Sequence, residues 1–137
     1  MLLGQSLGGL AALHAGWLHP DSFAGLVLQS GSFFTPVLDP QESGYVQFDQ
    51  VVGFVASVHE STGVPVGFPP VTFTCGTAEE NLANNRRIAR VLHRLGYLVR
   101  FAVVPGGHDY RSWRAAFDPH LPDLVRAAIR SAPDPPA

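Results

Sequence analysis

The chain has 137 residues, enough for one domain and too few for two of ordinary size. Apolar residues make up 46% and charged residues 15%, which supplies a core and excludes a disordered chain. Nine cations against eleven acids leave a net charge of −2, so neither nucleic acid nor an anionic membrane is an expected partner. All the cations are Arg, which excludes chemistry that needs a lysine Schiff base or a phosphate-loop lysine. The single Cys75 excludes an intrachain disulfide and a thiolate-rich metal site, and it fits a reducing, cytoplasmic setting. No apolar run is long enough to span a bilayer, and no basic stretch leads into an apolar one after Met1.

The predicted elements alternate. Met1 to Leu3 form a strand stub ahead of a glycine-flanked serine, and a helix follows over 7–18, stopped by Pro20. The apolar run 23–28, bounded by turn residues, reads as a buried strand. After a turn-rich stretch over 31–44, Val46 to Val58 mix helical spacing with β-branched content and read as a helix. Residues 63–70 form a Pro/Gly connector, and 71–75 form a strand ending at Gly76. Ile88, Val91, Leu92 and Leu95 recur at helical spacing with Arg86, Arg87, Arg90 and Arg94 on other faces, and Gly96 follows. Residues 98–104 read as a strand, and 111–130 as a helix bent or interrupted at Pro119 and Pro122. Strand and helix in alternation imply an α/β fold with a parallel sheet and flanking helices, over residues 1–131, with a loose tail over 132–137.

Gly4-Gln5-Ser6-Leu7-Gly8 fits G-x-S-x-G. A serine on a sharp strand-to-helix turn needs neighbours without Cβ atoms, and the turn lifts its hydroxyl above the sheet. It also aims the following backbone N–H, that of Leu7, at a developing oxyanion. Such a hydroxyl needs a base, and the base needs an orienting acid. Of six histidines, His14, His19, His59, His93 and His120 sit where structural or surface roles suffice. His108 instead follows a strand and Gly106-Gly107, at the carboxyl edge where open α/β sheets place their sites.

The same logic selects the loop Gly76-Thr77-Ala78-Glu79-Glu80-Asn81 for the acid, with Glu79 the first choice and Glu80 the runner-up. Both would serve equally as helix N-terminal carboxylates. Asp109 ranks lower because its side chain would have to fold back on its neighbour. The order Ser, acid, His is the one α/β-hydrolases use.

Together with Gln29-Ser30-Gly31-Ser32-Phe33 and Gly106-Gly107-His108-Asp109 followed by Trp113-Arg114, these blocks resemble the enterochelin-esterase branch of the α/β-hydrolase esterases. The resemblance runs from residue 3 to about 130, with the blocks in family order. It implies a serine hydrolase that opens ester or lactone linkages, in the best-known members those of ferric catecholate siderophores. Ser6 would then be nucleophile, His108 base and Glu79 the acid, although some members manage with a Ser–His pair. Trp113 and Arg114 match a family block and are candidates for substrate binding; first-turn packing and a surface charge are the plainer alternative.

Only three residues precede Gly4, and the family's earlier strands and second oxyanion loop have no counterpart. The expectation is therefore the C-terminal half of an α/β-hydrolase, impaired when isolated and prone to self-association through an exposed sheet edge. A catalytically silent remnant acting as an interaction module, and an acyltransferase of the same superfamily, are the competing readings. The expected partner is a small-molecule ester; no cofactor is called for, and no metal-ligand spacing is evident.

Overall fold

The computed structural model describes residues 1–63 and 65–131, so the tail expected over 132–137 lies outside the described residues. Four parallel strands, β1 (Leu2–Gln5), β2 (Leu26–Gln29), β3 (Val71–Gly76) and β4 (Val99–Val104), form one sheet in chain order. Between and after them run α1 (Leu7–Leu18), α2 (Phe48–Glu60), α3 (Leu82–Arg94), α4 (Tyr110–Ala115) and α5 (His120–Ser131). This is the parallel α/β architecture that the alternation predicts. No helix among the described residues is long and apolar enough to cross a membrane.

β2 and β3 are buried along their whole length, as strands covered on both faces must be. Leu26, Leu28, Val71 and Phe73 pack with Leu13 of α1, Val55 and Val58 of α2, and Ile88 and Leu92 of α3 in one core cluster. The amphipathic spacing in α3 resolves as expected, with Ile88, Val91 and Leu92 buried and Arg86, Arg87, Arg90 and Arg94 exposed. At its end Gly96 adopts φ 95°, and the Tyr97 N–H reaches back to the Leu92 carbonyl, a turn that suits glycine.

Several boundaries differ from the sequence reading by a few residues, and two of the differences have a clear cause. β2 begins at Leu26 rather than Phe23, because pairing starts where the Leu26 N–H meets the Pro70 carbonyl and the Leu2 N–H meets Gly25. The final helical stretch breaks at Pro119 but not at Pro122. Pro122 sits in the first turn of α5, where a missing N–H costs no intrahelical bond.

α1 packs tightly on β1 and β2. A Cβ placed on Gly4 would run into the Gly8 carbonyl oxygen and lie 2.7 Å from the Gly9 nitrogen. Gly4→Ala should therefore destabilise the fold by at least about 1–3 kcal/mol, the usual cost of overpacking. A thermal midpoint unchanged from the parent would show that the strand-to-helix turn yields more readily than its geometry implies.

Cys75, one residue from the end of β3, is 1% exposed. Burial, reinforced by the nearby Glu79 carboxylate, pushes its thiol up to about 12. We expect the native protein to resist a thiol-specific disulfide reagent at mildly alkaline pH and to react once unfolded in denaturant. Rapid modification of the native state would contradict this burial.

Candidate active site

The hydrogen-bond ladder of the sheet continues one residue past three of the strands and carries the site residues with it. The Ser6 N–H donates to the Gln29 carbonyl at 3.0 Å, Ser30 to Thr74 at 2.8 Å, and Thr77 to Val104 at 2.9 Å. Ser6 and the loops bearing Ser30, Glu79 and His108 thus emerge along one edge of the sheet, the carboxyl edge.

Ser6 sits on the turn between β1 and α1 with φ 54° and ψ −124°. A left-handed serine costs of order 1–3 kcal/mol and persists only where its surroundings fix it. Here the Ser6 carbonyl accepts from the N–H groups of Gly9, Leu10 and Ser32, which holds the turn from both sides. Leu7 opens α1, so its N–H is among those a helix leaves without intrahelical acceptors. Leu7 lines the same cavity as Ser6.

His108 Nε2 lies 2.9 Å from Ser6 Oγ across 102 residues of sequence. Its Nδ1 lies 2.7 Å from Glu79 Oε2. A carboxylate only accepts, so Nδ1 is the donor in that pair, and the neutral ring's Nε2 is then the acceptor that faces the serine hydroxyl. The Glu79 side chain is 2% exposed and the His108 side chain 44%, so the acid is sequestered while the imidazole faces the opening. Glu79 Oε1 accepts from the Gly76 N–H at 2.7 Å and from Ser30 Oγ at 2.6 Å, which satisfies the buried carboxylate. A Cβ on Gly76 would come within 2.8 Å of that same oxygen, so a residue without a side chain is required there.

The loop after β3 thus delivers Glu79, and not Glu80, to His108; Glu80 is exposed on the cavity wall. Asp109 caps α4 instead, accepting from the Ser112 N–H at 2.9 Å. That bond is the main reason its carboxyl is held below the usual range.

Trp113 packs edge-on against the His108 ring at 5.0 Å between centroids. Its indole N–H donates to Ser30 Oγ at 2.9 Å. Arg114 is exposed, and neither it nor Trp113 lines the cavity. His14 and His93 are exposed helix residues, and His14 packs edge-on against Phe54. Burial, followed by the Arg87 and Arg94 charges, lowers the His59 pKa, at the end of α2 and away from Ser6.

The cavity beside Ser6 has a volume of about 480 Å³ and includes Phe34, Asp39 and Glu42 in its wall. The sequence reading assigned no role to Asp39, Asn84 or Asn85, which brace the turns around it. Asn85 bonds both the N–H and the carbonyl of Gly31 at 2.9 Å, and Asn81 donates to the Ser30 carbonyl at 2.8 Å. Asp39, 5% exposed, accepts from Asn84 at 2.7 Å and from the Thr35 N–H at 2.7 Å. Several polar residues within an otherwise amphipathic helix, Asn84-Asn85, were the signal available in the sequence.

The Esterase family model matches residues 1–124. The iron(III) enterobactin esterase of Dickeya dadantii (strain 3937) is 36% identical over 113 residues, covering 81% of this chain and 26% of that protein. The crystal structure of the enterobactin esterase from Shigella flexneri in the presence of enterobactin superposes with a TM-score of 0.72 at 26% identity. That match covers 92% of this chain and 30% of the other. A ferulic acid esterase structure, at 23% identity and a TM-score of 0.71, shares the fold over 90% of this chain and 50% of its own. The chain thus spans about a quarter of the length of the curated relative. From residue 1 to residue 124 it belongs to the Esterase family, and its sheet and helices are those of an α/β-hydrolase.

Proposed function

We propose that this chain hydrolyses carboxylic esters through an acyl-enzyme on Ser6, with His108 as general base and Glu79 as the carboxylate that orients it. The observation that carries the reading is the unbroken line from Ser6 Oγ to His108 Nε2 at 2.9 Å and from His108 Nδ1 to Glu79 Oε2 at 2.7 Å. Both distances lie within proton-transfer reach.

Ser6 Oγ attacks the ester carbonyl carbon while its proton passes to His108 Nε2. Glu79 stabilises the imidazolium without taking the proton. The tetrahedral intermediate collapses, the C–O bond to the alcohol breaks, and His108 gives its proton to the departing oxygen. Water then attacks the acyl-Ser6 by the same route in reverse, releasing the acid and restoring the serine.

The Leu7 N–H supplies one oxyanion donor at the helix start. For the substrate, the similarity to iron(III) enterobactin esterases supports a catecholate siderophore ester or lactone. A cavity of about 480 Å³ with Phe34 in its wall is large enough for an aromatic acyl group.

A fluorophosphonate probe should label the purified protein at Ser6, and Ser6→Ala should abolish labelling. Undiminished labelling of that variant would remove Ser6 from the chemistry. Glu79→Gln should slow labelling by about 10²–10⁴-fold, as losing the orienting carboxylate does in other triads, while Glu80→Gln should leave the rate unchanged. A Glu79→Gln variant that labels at the parent rate would mean that the Ser6–His108 pair works alone.

A further inference from the structure

We infer that Ser30 and Trp113 are positioning residues: the Trp113 indole fixes the Ser30 hydroxyl so that it donates to Glu79 and holds that carboxylate facing His108. The inference rests on the proposed roles of Glu79 and His108.

The direction of the chain is fixed by donor chemistry. An indole nitrogen only donates, so Trp113 Nε1–H gives its proton to Ser30 Oγ at 2.9 Å. The Ser30 hydroxyl hydrogen is thereby turned toward Glu79 Oε1, 2.6 Å away, a separation typical of a bond to an ionised oxygen. With the Gly76 N–H on the same oxygen at 2.7 Å, Oε1 is occupied and Oε2 is left for His108. Without the indole, the Ser30 oxygen would lose the donor that fixes it, and one of the two donors that set the carboxylate plane would be held less firmly.

Three further features single out this arrangement. Ser30 is 1% exposed and adopts φ 51°, a left-handed backbone that favours glycine, yet the position carries a side chain whose oxygen both accepts and donates. Trp113 is held from its other end, where its carbonyl accepts from Gln29 Nε2 at 2.8 Å. Gln29 in turn accepts from Gln5, the neighbour of Ser6, at 3.1 Å. Finally, Trp113 and His108 share one loop-helix segment and pack ring to ring, so the indole links the imidazole's own segment to the acid's partner. The circuit closes on itself.

The test is imidazole NMR on the full chain, which needs no turnover. The His108 Nδ1–H should appear as a downfield, exchange-protected resonance, identified by its loss in Glu79→Gln. In Trp113→Phe, which keeps an aromatic ring but removes the donor, that proton should move upfield and exchange at least about tenfold faster, the scale of one lost bond to a charged group. Ser30→Gly, which relieves the backbone and removes the CH2OH group that bears the hydroxyl, should do the same and carries the test if Trp113→Phe fails to fold. Arg114→Ala should leave the resonance unchanged. An Nδ1–H of parental shift and exchange rate in folded Trp113→Phe or Ser30→Gly would overturn the inference. Failure of the catalytic reading would look different: the resonance would respond as stated while Ser6 remained unlabelled by the fluorophosphonate.

Discussion

Everything at the active edge depends on the parallel register of four strands. Leu2 pairs with Leu26, Leu26 with Val71, and Val71 with Val99, so the strands start level and their carboxyl ends lie close together. Because the ladder runs on into Ser6, Ser30 and Thr77, the first residue after β1, β2 and β3 is placed by backbone bonds rather than by loop packing. That placement is why a serine, a glutamate and a histidine separated by up to 102 residues meet within hydrogen-bond distance. A slip of one residue in any strand would turn each side chain to the opposite face and dissolve the meeting point.

The site is polar but largely buried behind its exposed imidazole, a costly combination unless every group finds a partner. Gln29 is fully buried and bonds Gln5 and Trp113; Asn85 and Asn81 satisfy the Ser30-Gly31 turn; Glu79 accepts three bonds. Breaking one member leaves another unpaired at about 1–3 kcal/mol, so the network resists piecemeal loosening. Rigidity of this kind is what the proposed acyl transfer would ask of its groups, since a misplacement of about 1 Å can cost about 10²-fold in rate. The strained backbone of Ser30 is held by one of these bonds, from Asn81, and that of Ser6 by the N–H groups of Gly9, Leu10 and Ser32, which ties local strain to the site rather than to the core.

Membership of the Esterase family and the fraction of its relatives that the chain covers meet in the same geometry. The chain contains the turn that bears Ser6 and the loops after β3 and β4, and these are the parts brought together at the cavity. Glycine matters at two of these points for one reason, close approach: Gly4 lets α1 descend onto the strand, and Gly76 leaves room for the Glu79 carboxylate.

What the sequence determined by itself was local in origin. The alternation of elements, the helical stripe of α3 and the G-x-S-x-G turn are short-range patterns, and each is visible in a window of a few residues. The order of Ser6, Glu79 and His108 after successive strands was legible for the same reason. Only the tertiary structure shows which of Glu79 and Glu80 bonds His108, because both lie in one loop and differ in which way a single turn directs them. Likewise Trp113, read from sequence as a substrate contact or first-turn packing, bonds to Ser30 across 83 residues, and Asn85 closes on Gly31 across 54. Such pairs leave no periodic trace in the sequence, since strand register and the placement of α3 and α4 bring them together.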